Sequence, residues 1–172
     1  MSSHVTVSLS GRVAVVTLDN PPVNALGSAI IDALSKAFAD AAANGSADAI
    51  VFRGAGKVFI AGADIHEFTS GNAIDMTPLL TQLENSPKPV IAAMHGTALG
   101  GGVEIAMACH YRIAAAETQI GMPEVTLGII PGAGGTQRLP RLVGMAKAAE
   151  MIISAQFLKA SDAQTAGLID KV

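Results

Sequence analysis

Two glutamates sit where a carboxylate is hard to justify on packing grounds alone. Glu104 lies in Gly100-Gly101-Gly102-Val103-Glu104-Ile105-Ala106, and Glu124 follows Pro123 among Ile120, Met122, Val125 and Leu127. A carboxylate in apolar surroundings is costly unless it has a partner or a task. Burial also raises its pKa toward neutrality, the range in which a carboxyl can shuttle protons. Taken alone, Glu124 reads equally well as a helix-start carboxylate. The two together suit general acid–base chemistry beside a polarised carbonyl.

The residues around them are small. Phe59-Ile60-Ala61-Gly62-Ala63-Asp64 follows a strand and a Gly54-Ala55-Gly56 loop, and Leu99-Gly100-Gly101-Gly102 follows the apolar run Val90 to Met94. In both, a buried strand gives way to a loop or helix whose first N–H groups lack partners. Glycine and alanine let a ligand approach those donors, and in the second segment the helix dipole adds partial positive charge. Two such donors on one oxygen would form an oxyanion hole, where a single donor contributes roughly 3–4 kcal/mol. Gly100 to Gly102 alone would serve tight backbone packing equally well, and Glu104 tips the balance. A third segment runs through Gly121-Met122-Pro123-Glu124 to Gly128-Ile129-Ile130-Pro131-Gly132-Ala133-Gly134-Gly135.

Other chemistries fit poorly. A dinucleotide fingerprint would need glycine at 105 or 137, where isoleucine and glutamine stand, and there is no P-loop ending. The Asp64, His66 and Glu67 cluster, with His66-Glu67-Phe68-Thr69-Ser70, lacks the second zincin histidine and reads as a solvated helix start rather than a metal site. No Gly-x-Ser-x-Gly elbow exists. Cys109 reads as a small buried hydrophobe, and His95 and His110 as structural. With 11 Lys+Arg against 14 Asp+Glu, the chain lacks the basic footprint of a nucleic-acid binder. A half-apolar composition excludes disorder, and one cysteine excludes an internal disulfide. Val90 to Cys109 is long enough for a membrane span, but Glu104, His95 and four glycines argue for strand, loop and helix instead. Met1-Ser2-Ser3-His4 has no signal-peptide character, so the expected location is the cytoplasm.

The elements that must position these residues follow from periodicity. Val5, Val7 and Leu9 alternate with Thr6 and Ser8 as in a half-buried strand. After the Ser10-Gly11 turn, Val13 to Leu18 completes a predicted hairpin. Ser28 is placed to cap a helix carrying Ile30, Ile31, Leu34, Phe38 and Ala41 on one face, with Asn44-Gly45 as its stop. Ala49 to Phe52 and Val90 to Met94 suit buried strands, Thr77 to Asn85 a helix between them. Helices are predicted at Met145 to Ser154 and Ser161 to Ala166, with Gly167 as C-cap, then a strand over Leu168 to Val172. Alternating strands and helices argue for an α/β domain, residues 1–172, with a parallel sheet at its centre. A chain stopping on a fresh strand is compatible with a C-terminally truncated fragment.

At this point the chain resembles the enoyl-CoA hydratase/isomerase (crotonase) superfamily. The matching residues are Ala61-Gly62-Ala63-Asp64-Ile65, Ala98 through Glu104, Pro123-Glu124, and Leu127 through Leu139. Asn20-Pro21-Pro22-Val23-Asn24-Ala25-Leu26 is similar to the hydratase half of multifunctional fatty-acid oxidation enzymes, in which a hydroxyacyl-CoA dehydrogenase part follows. The resemblance implies a right-handed spiral of ββα units and reversible syn hydration of a trans-2-enoyl-CoA to a 3-hydroxyacyl-CoA in β-oxidation. It implies that the N–H groups of Ala63 and Gly101 hold the thioester oxygen. Glu104 would hold and activate water, and Glu124 would hold the same water and protonate the α-carbon. Ala61, Asp64 and Ile65 would line the coenzyme A site, with backbone contacts from Ala61 to the adenine and Lys57 reaching a phosphate. No cofactor or metal is implied, coenzyme A being part of the substrate.

His66 stands where many relatives carry lysine, which changes the implied grip on coenzyme A. Family members continue into a helical C-terminal region that covers the acyl pocket and builds trimers. The implied partners are therefore other copies, as a homotrimer or hexamer when that region is present, or a fused dehydrogenase part. Scattered aliphatic positions such as Met76, Leu79, Leu80 and Ile130 would wall the acyl pocket. The alternatives to hydration are Δ3,Δ2-enoyl-CoA isomerisation and an acyl-CoA-binding module without turnover.

Overall fold

The computed structural model describes residues 4–69 and 74–172. The start of the chain, Met1 to Ser3, and Ser70 at the end of the His66-Glu67 stretch lie outside them. Strands β1 (Val5–Ser10) and β2 (Val13–Leu18) form the expected hairpin, paired antiparallel from Val5↔Leu18 to Ser10↔Val13. Strands β3 (Ala49–Gly54) and β4 (Val90–Met94) then add in parallel. After β5 (Thr97–Leu99) and helix α4 (Gly101–Ala108), β6 (Tyr111–Ala114) joins this sheet beside β4, giving the order β1-β2-β3-β4-β6. One face of the sheet is fully buried, through Ala14, Val16, Leu18, Ile50, Phe52, Val90, Ala92 and Met94, whereas Val13, Val15, Ala49 and Val51 on the other face are half-buried.

Helix α1 (Ser28–Ala43) covers this sheet through Ile30, Ile31, Leu34, Ala37, Phe38 and Ala41. Its Phe38 meets Phe52 edge-on, and Phe52 meets Phe59 in the same way, at centroid distances of 5.4 and 5.3 Å. Ser28 is the first helical residue rather than the cap. Gly27 occupies the cap position, and the side chain that serves this end comes from far along the chain: Glu67 accepts the N–H and the hydroxyl of Ser28 at 2.8 and 2.7 Å. Glu67 belongs to the short helix α2 (Ile65–Thr69), and α3 (Thr77–Glu84) lies close to its predicted span.

A second, smaller sheet joins β5 to β7 (Gln119–Gly121) in parallel and β7 to β8 (Leu158–Lys159) antiparallel. A single turn of 3₁₀ helix (Glu124–Leu127) follows β7, and α5 (Gly135–Val143), α6 (Met145–Ser154) and α7 (Ala160–Thr165) complete the chain. Gly167, with φ of +85°, turns the chain out of α7 as a glycine beyond a helix end should.

Two sequence expectations are corrected here. Val7 and Leu9 are exposed, at 41% and 50%, because β1 is the edge strand and only its Val5 end is covered. The predicted strand at 168–172 is a single bridge, Ile113↔Lys171. That segment is held instead by the buried Arg112, which donates to the carbonyls of Leu168 and Cys109 and pairs with Asp170. Among the described residues, no helix is long and apolar enough to cross a membrane.

Candidate active site

The site forms where two backbone segments leave the sheet side by side. Ile60 bridges Ala98 in parallel, and Leu99 donates to the carbonyl of Ile60 at 2.9 Å. Ala63 and Gly101 each lie three residues beyond that bridged pair, so the pairing carries the two positions out together. On its other side Ala63 bridges Leu26, whose N–H goes to Gly62 and whose carbonyl accepts from Asp64. In a parallel bridge of this pattern the N–H of Ala63 itself points away from Leu26. Among the described residues no acceptor takes the N–H of Ala63 or of Gly101. For Gly101 the reason is its place at the first position of α4.

Gly100 makes the turn possible. It adopts φ of +48°, a conformation most side chains avoid, and its N–H donates to Gly121 at 3.0 Å. That bond extends the β5–β7 pairing and brings the stretch from Gly121 to Glu124 alongside. A β-carbon on Gly100 would stand 3.0 Å from Oε1 of Glu124. One turn further into α4, Glu104 donates its own N–H to the carbonyl of Gly100. Gly100 thus touches the carboxyl of Glu124 on one side and the backbone of Glu104 on the other, and the charge of Glu104 reaches the Glu124 carboxyl.

Their surroundings differ. Glu104 is 3% exposed on a helix buried at every position. Its Oε1 accepts the N–H groups of Ala133 and Gly135 at 2.8 and 2.7 Å. Burial pushes its pKa up, against the pull of those two N–H groups and of Arg138. Glu124 is half-buried on the 3₁₀ turn, and its Oε2 is buried with no hydrogen-bond partner among the described residues. Its pKa is pushed up to about 6, first by burial and further by the neighbouring charge of Glu104.

The glycine-rich loop before α5 therefore has a use that sequence reasoning missed. Its motif was visible, but nothing in the letters said that its amides would turn toward Glu104. Gly135 is required there, since a β-carbon would stand 2.9 Å from Oε1 of Glu104 and 2.7 Å from the Met122 methyl. Asn24 was also missed. It is 2% exposed, and its amide donates to the carbonyls of Ala55, Val58 and Phe59, tying down the loop that leads into Ala61 to Ala63.

Lys57, Ala61, Asp64 and Ile65 share the stretch that ends at α2. Lys57 and Ile65 are exposed, Ala61 and Asp64 half-buried. Ala61 donates to Val23, and Asp64 accepts the N–H of His66 at 2.9 Å, which makes it a local helix start as expected. Of the aliphatic positions expected to wall an acyl pocket, Met76, Leu79 and Leu80 belong to the core, whereas Ile130 is 66% exposed. Leu80 also borders an open cavity together with Gly132, Ala133 and Gly134. His95 and His110 bond backbone, to Gly56 and Val90 respectively, and burial drives the Cys109 thiol up to about 12. No group of three or more His, Cys, Asp or Glu able to hold a metal occurs among the described residues.

Comparison with known proteins places this arrangement. The family model described as Enoyl-CoA hydratase/isomerase matches residues 8–172. A probable enoyl-CoA hydratase of Bacillus subtilis is 46% identical over 173 residues, covering 96% of this chain and 67% of that protein. The peroxisomal bifunctional enzyme of Cavia porcellus is 45% identical, covering 95% of this chain and 23% of that enzyme. A solved enoyl-CoA hydratase from Thermoplasma volcanium superposes with a TM-score of 0.94 at 35% identity, covering 99% of this chain and 72% of that one. The chain belongs to the enoyl-CoA hydratase/isomerase family, and its mixed α/β fold is the crotonase-like one. It spans about two thirds of the Bacillus protein and under a quarter of the bifunctional enzymes.

Proposed function

We propose that this domain hydrates trans-2-enoyl thioesters of coenzyme A. The observation that carries the reading is that Glu104 and Glu124, coupled through their charges, flank Gly100 beside two N–H groups that have no acceptor among the described residues. On this reading the N–H groups of Ala63 and Gly101 hold the thioester oxygen. Glu104 takes a proton from water as the water oxygen bonds to the β-carbon, and the alkene electron pair moves to the carbonyl oxygen as an enolate. Glu124 then gives its proton to the α-carbon, and proton return from Glu104 to Glu124 resets the site. The enolate is the high-energy species, and preorganised N–H donors stabilise its charge without reorganising.

The electrostatics support this division of labour. A base must be ionised; burial raises the Glu104 pKa, and two N–H bonds and Arg138 pull against it toward the ionised form. An acid must hold its proton near neutrality, and burial of Glu124 favours that. Ala61, Asp64 and Ile65 would line the coenzyme A path, with Lys57 at its phosphate end. Leu127 and Ile130, exposed near Glu124, would lie against the acyl chain. As in the bifunctional enzymes it resembles, the domain would feed a dehydrogenase acting on the 3-hydroxyacyl product.

The test is direct. Crotonyl-CoA should lose its conjugated-enoyl absorbance when the protein is added, and the product should be 3-hydroxybutyryl-CoA. Binding of crotonyl-CoA with no absorbance loss would replace the reading with that of a binding module. Conversion of a 3-enoyl-CoA alone would replace it with isomerisation.

A further inference from the structure

Arg138 is placed against ordinary helix electrostatics. It stands in the first turn of α5, where the helix end is partially positive and a cation is disfavoured. Its guanidinium nonetheless folds back over that end. Nη1 donates to the carbonyl of Ala133 at 2.8 Å, and Nε pairs with Glu84 of α3 at 2.7 Å. Ala133 is the residue whose N–H reaches Glu104, and Gly134, next to it, leaves no space for a β-carbon, which would stand 2.3 Å from Nη1. A continuous path therefore runs from α3 through Glu84, Arg138 and Ala133 to the carboxyl of Glu104. The same residues border a cavity of about 390 Å³ between α3 and the loop, so the loop has open space to move into once unpinned.

We propose that Arg138 is a positioning residue. By clamping Ala133 to Glu84 it aims the Ala133 and Gly135 amides at Glu104. This rests on the reading of Glu104 as the base of the hydration site. Planar bidentate reach is what the task requires, since one group must serve a carbonyl and a carboxylate held by different elements. The charge of Arg138 from α5 pulls the Glu104 pKa down against the larger push of burial, and Glu104 in turn raises the pKa of Glu124 on the 3₁₀ turn.

The experiment compares wild type, Arg138→Gln, Arg138→Lys and Glu84→Gln by two readouts. Hydration kinetics with crotonyl-CoA should show kcat reduced about 10- to 100-fold in Arg138→Gln, with KM within about threefold, as for a misaimed catalytic group. Carboxyl ¹³C NMR of glutamate-labelled protein, with the Glu104 signal assigned against Glu104→Gln, should show its titration midpoint rise in Arg138→Gln. In Arg138→Lys the midpoint should stay near wild type while kcat recovers only in part. A role in folding alone would lower the melting temperature and leave the midpoint where it was, and that result overturns the proposal. If Arg138→Gln does not fold, unchanged kcat in both Arg138→Lys and Glu84→Gln overturns it instead. The NMR arm needs no substrate: a wild type that hydrates nothing would remove the hydratase reading, while the Glu104 midpoint still decides whether Arg138 controls that carboxyl.

Discussion

Glu104 and Glu124 lie within reach of one another's charge, yet the chain treats them in opposite ways. Glu104 is deeper, 3% exposed, and receives two backbone N–H groups from a loop built around Gly135. Glu124 is nearer the surface, and one of its oxygens is buried without a hydrogen-bond partner among the described residues. Depth alone would make Glu104 the harder to ionise, and hydrogen bonding works against that order. The same residue type can thus be tuned toward base or acid by which backbone groups face it. A sequence shows the residue type and conceals the facing groups.

Removing either carboxylate should break the comparison outright. Glu104→Gln and Glu124→Gln should each lower the hydration rate by about 10²- to 10⁴-fold, the usual range for a general acid or base. Isothermal titration with a saturated acyl-CoA should show binding retained in both. Wild-type turnover in either variant would mean that its carboxyl moves no proton. In the wild type, hydration should decline with rising pH through an apparent pKa at or above about 6, where Glu124 loses its proton. That limb should be missing from the residual activity of Glu124→Gln.

A smaller effect should follow from disturbing only what faces Glu104. Gly135→Ala places a carbon 2.9 Å from Oε1 of Glu104, so the loop must withdraw and take its amides with it. The expected result is a fall in kcat of about 10- to 100-fold, with Glu124's contribution to the pH profile intact. A kcat equal to wild type would show that Glu104 does not depend on those amides.

The smallest effect concerns stability and has the opposite sign. Glu124 binds its proton more tightly in the folded state, with a pKa of about 6 against 4.5, so folding stability is full below pH 4.5 and declines as pH rises through 6. Glu124→Gln should therefore be more stable than wild type at pH 7, by on the order of 1 kcal/mol after allowance for partial exposure. Calorimetry should register this as a rise in melting temperature of about 2–4 °C. Equal melting temperatures at pH 5 and pH 7 in the wild type would show that Glu124 carries no such strain.

Much of this was legible in the sequence because local chemistry dictated it. The hairpin, α1, β3, β4 and α6 follow from period and punctuation, and the two glutamates stood out as acids in apolar company. What stayed hidden depends on residues distant along the chain. Ser28 looked like a cap, but Glu67 supplies the acceptor from 39 positions away. Helix α5 escaped notice because its glycine-rich start and internal Pro140 suppress a helical pattern, although only Gly135 and Leu139 need to be buried. Arg138 stood unremarked inside the Leu127 to Leu139 match, since nothing in the letters places Glu84 or Ala133 beside it. The turning of the Ala133 and Gly135 amides toward Glu104 is likewise a product of the assembled α4–α5 packing.

The bridge between Ile60 and Ala98 carries a consequence for how this architecture tolerates change. Both amides proposed to hold the thioester oxygen are counted off from that main-chain rung, and neighbouring strands keep a separation of about 4.8 Å whatever their side chains are. Amino-acid replacement near Ala63 or Gly101 leaves the counting intact so long as the new group fits. One inserted or deleted residue between the rung and either amide would instead turn a donor to the wrong side. Length, more than identity, is the property these two short stretches cannot afford to vary.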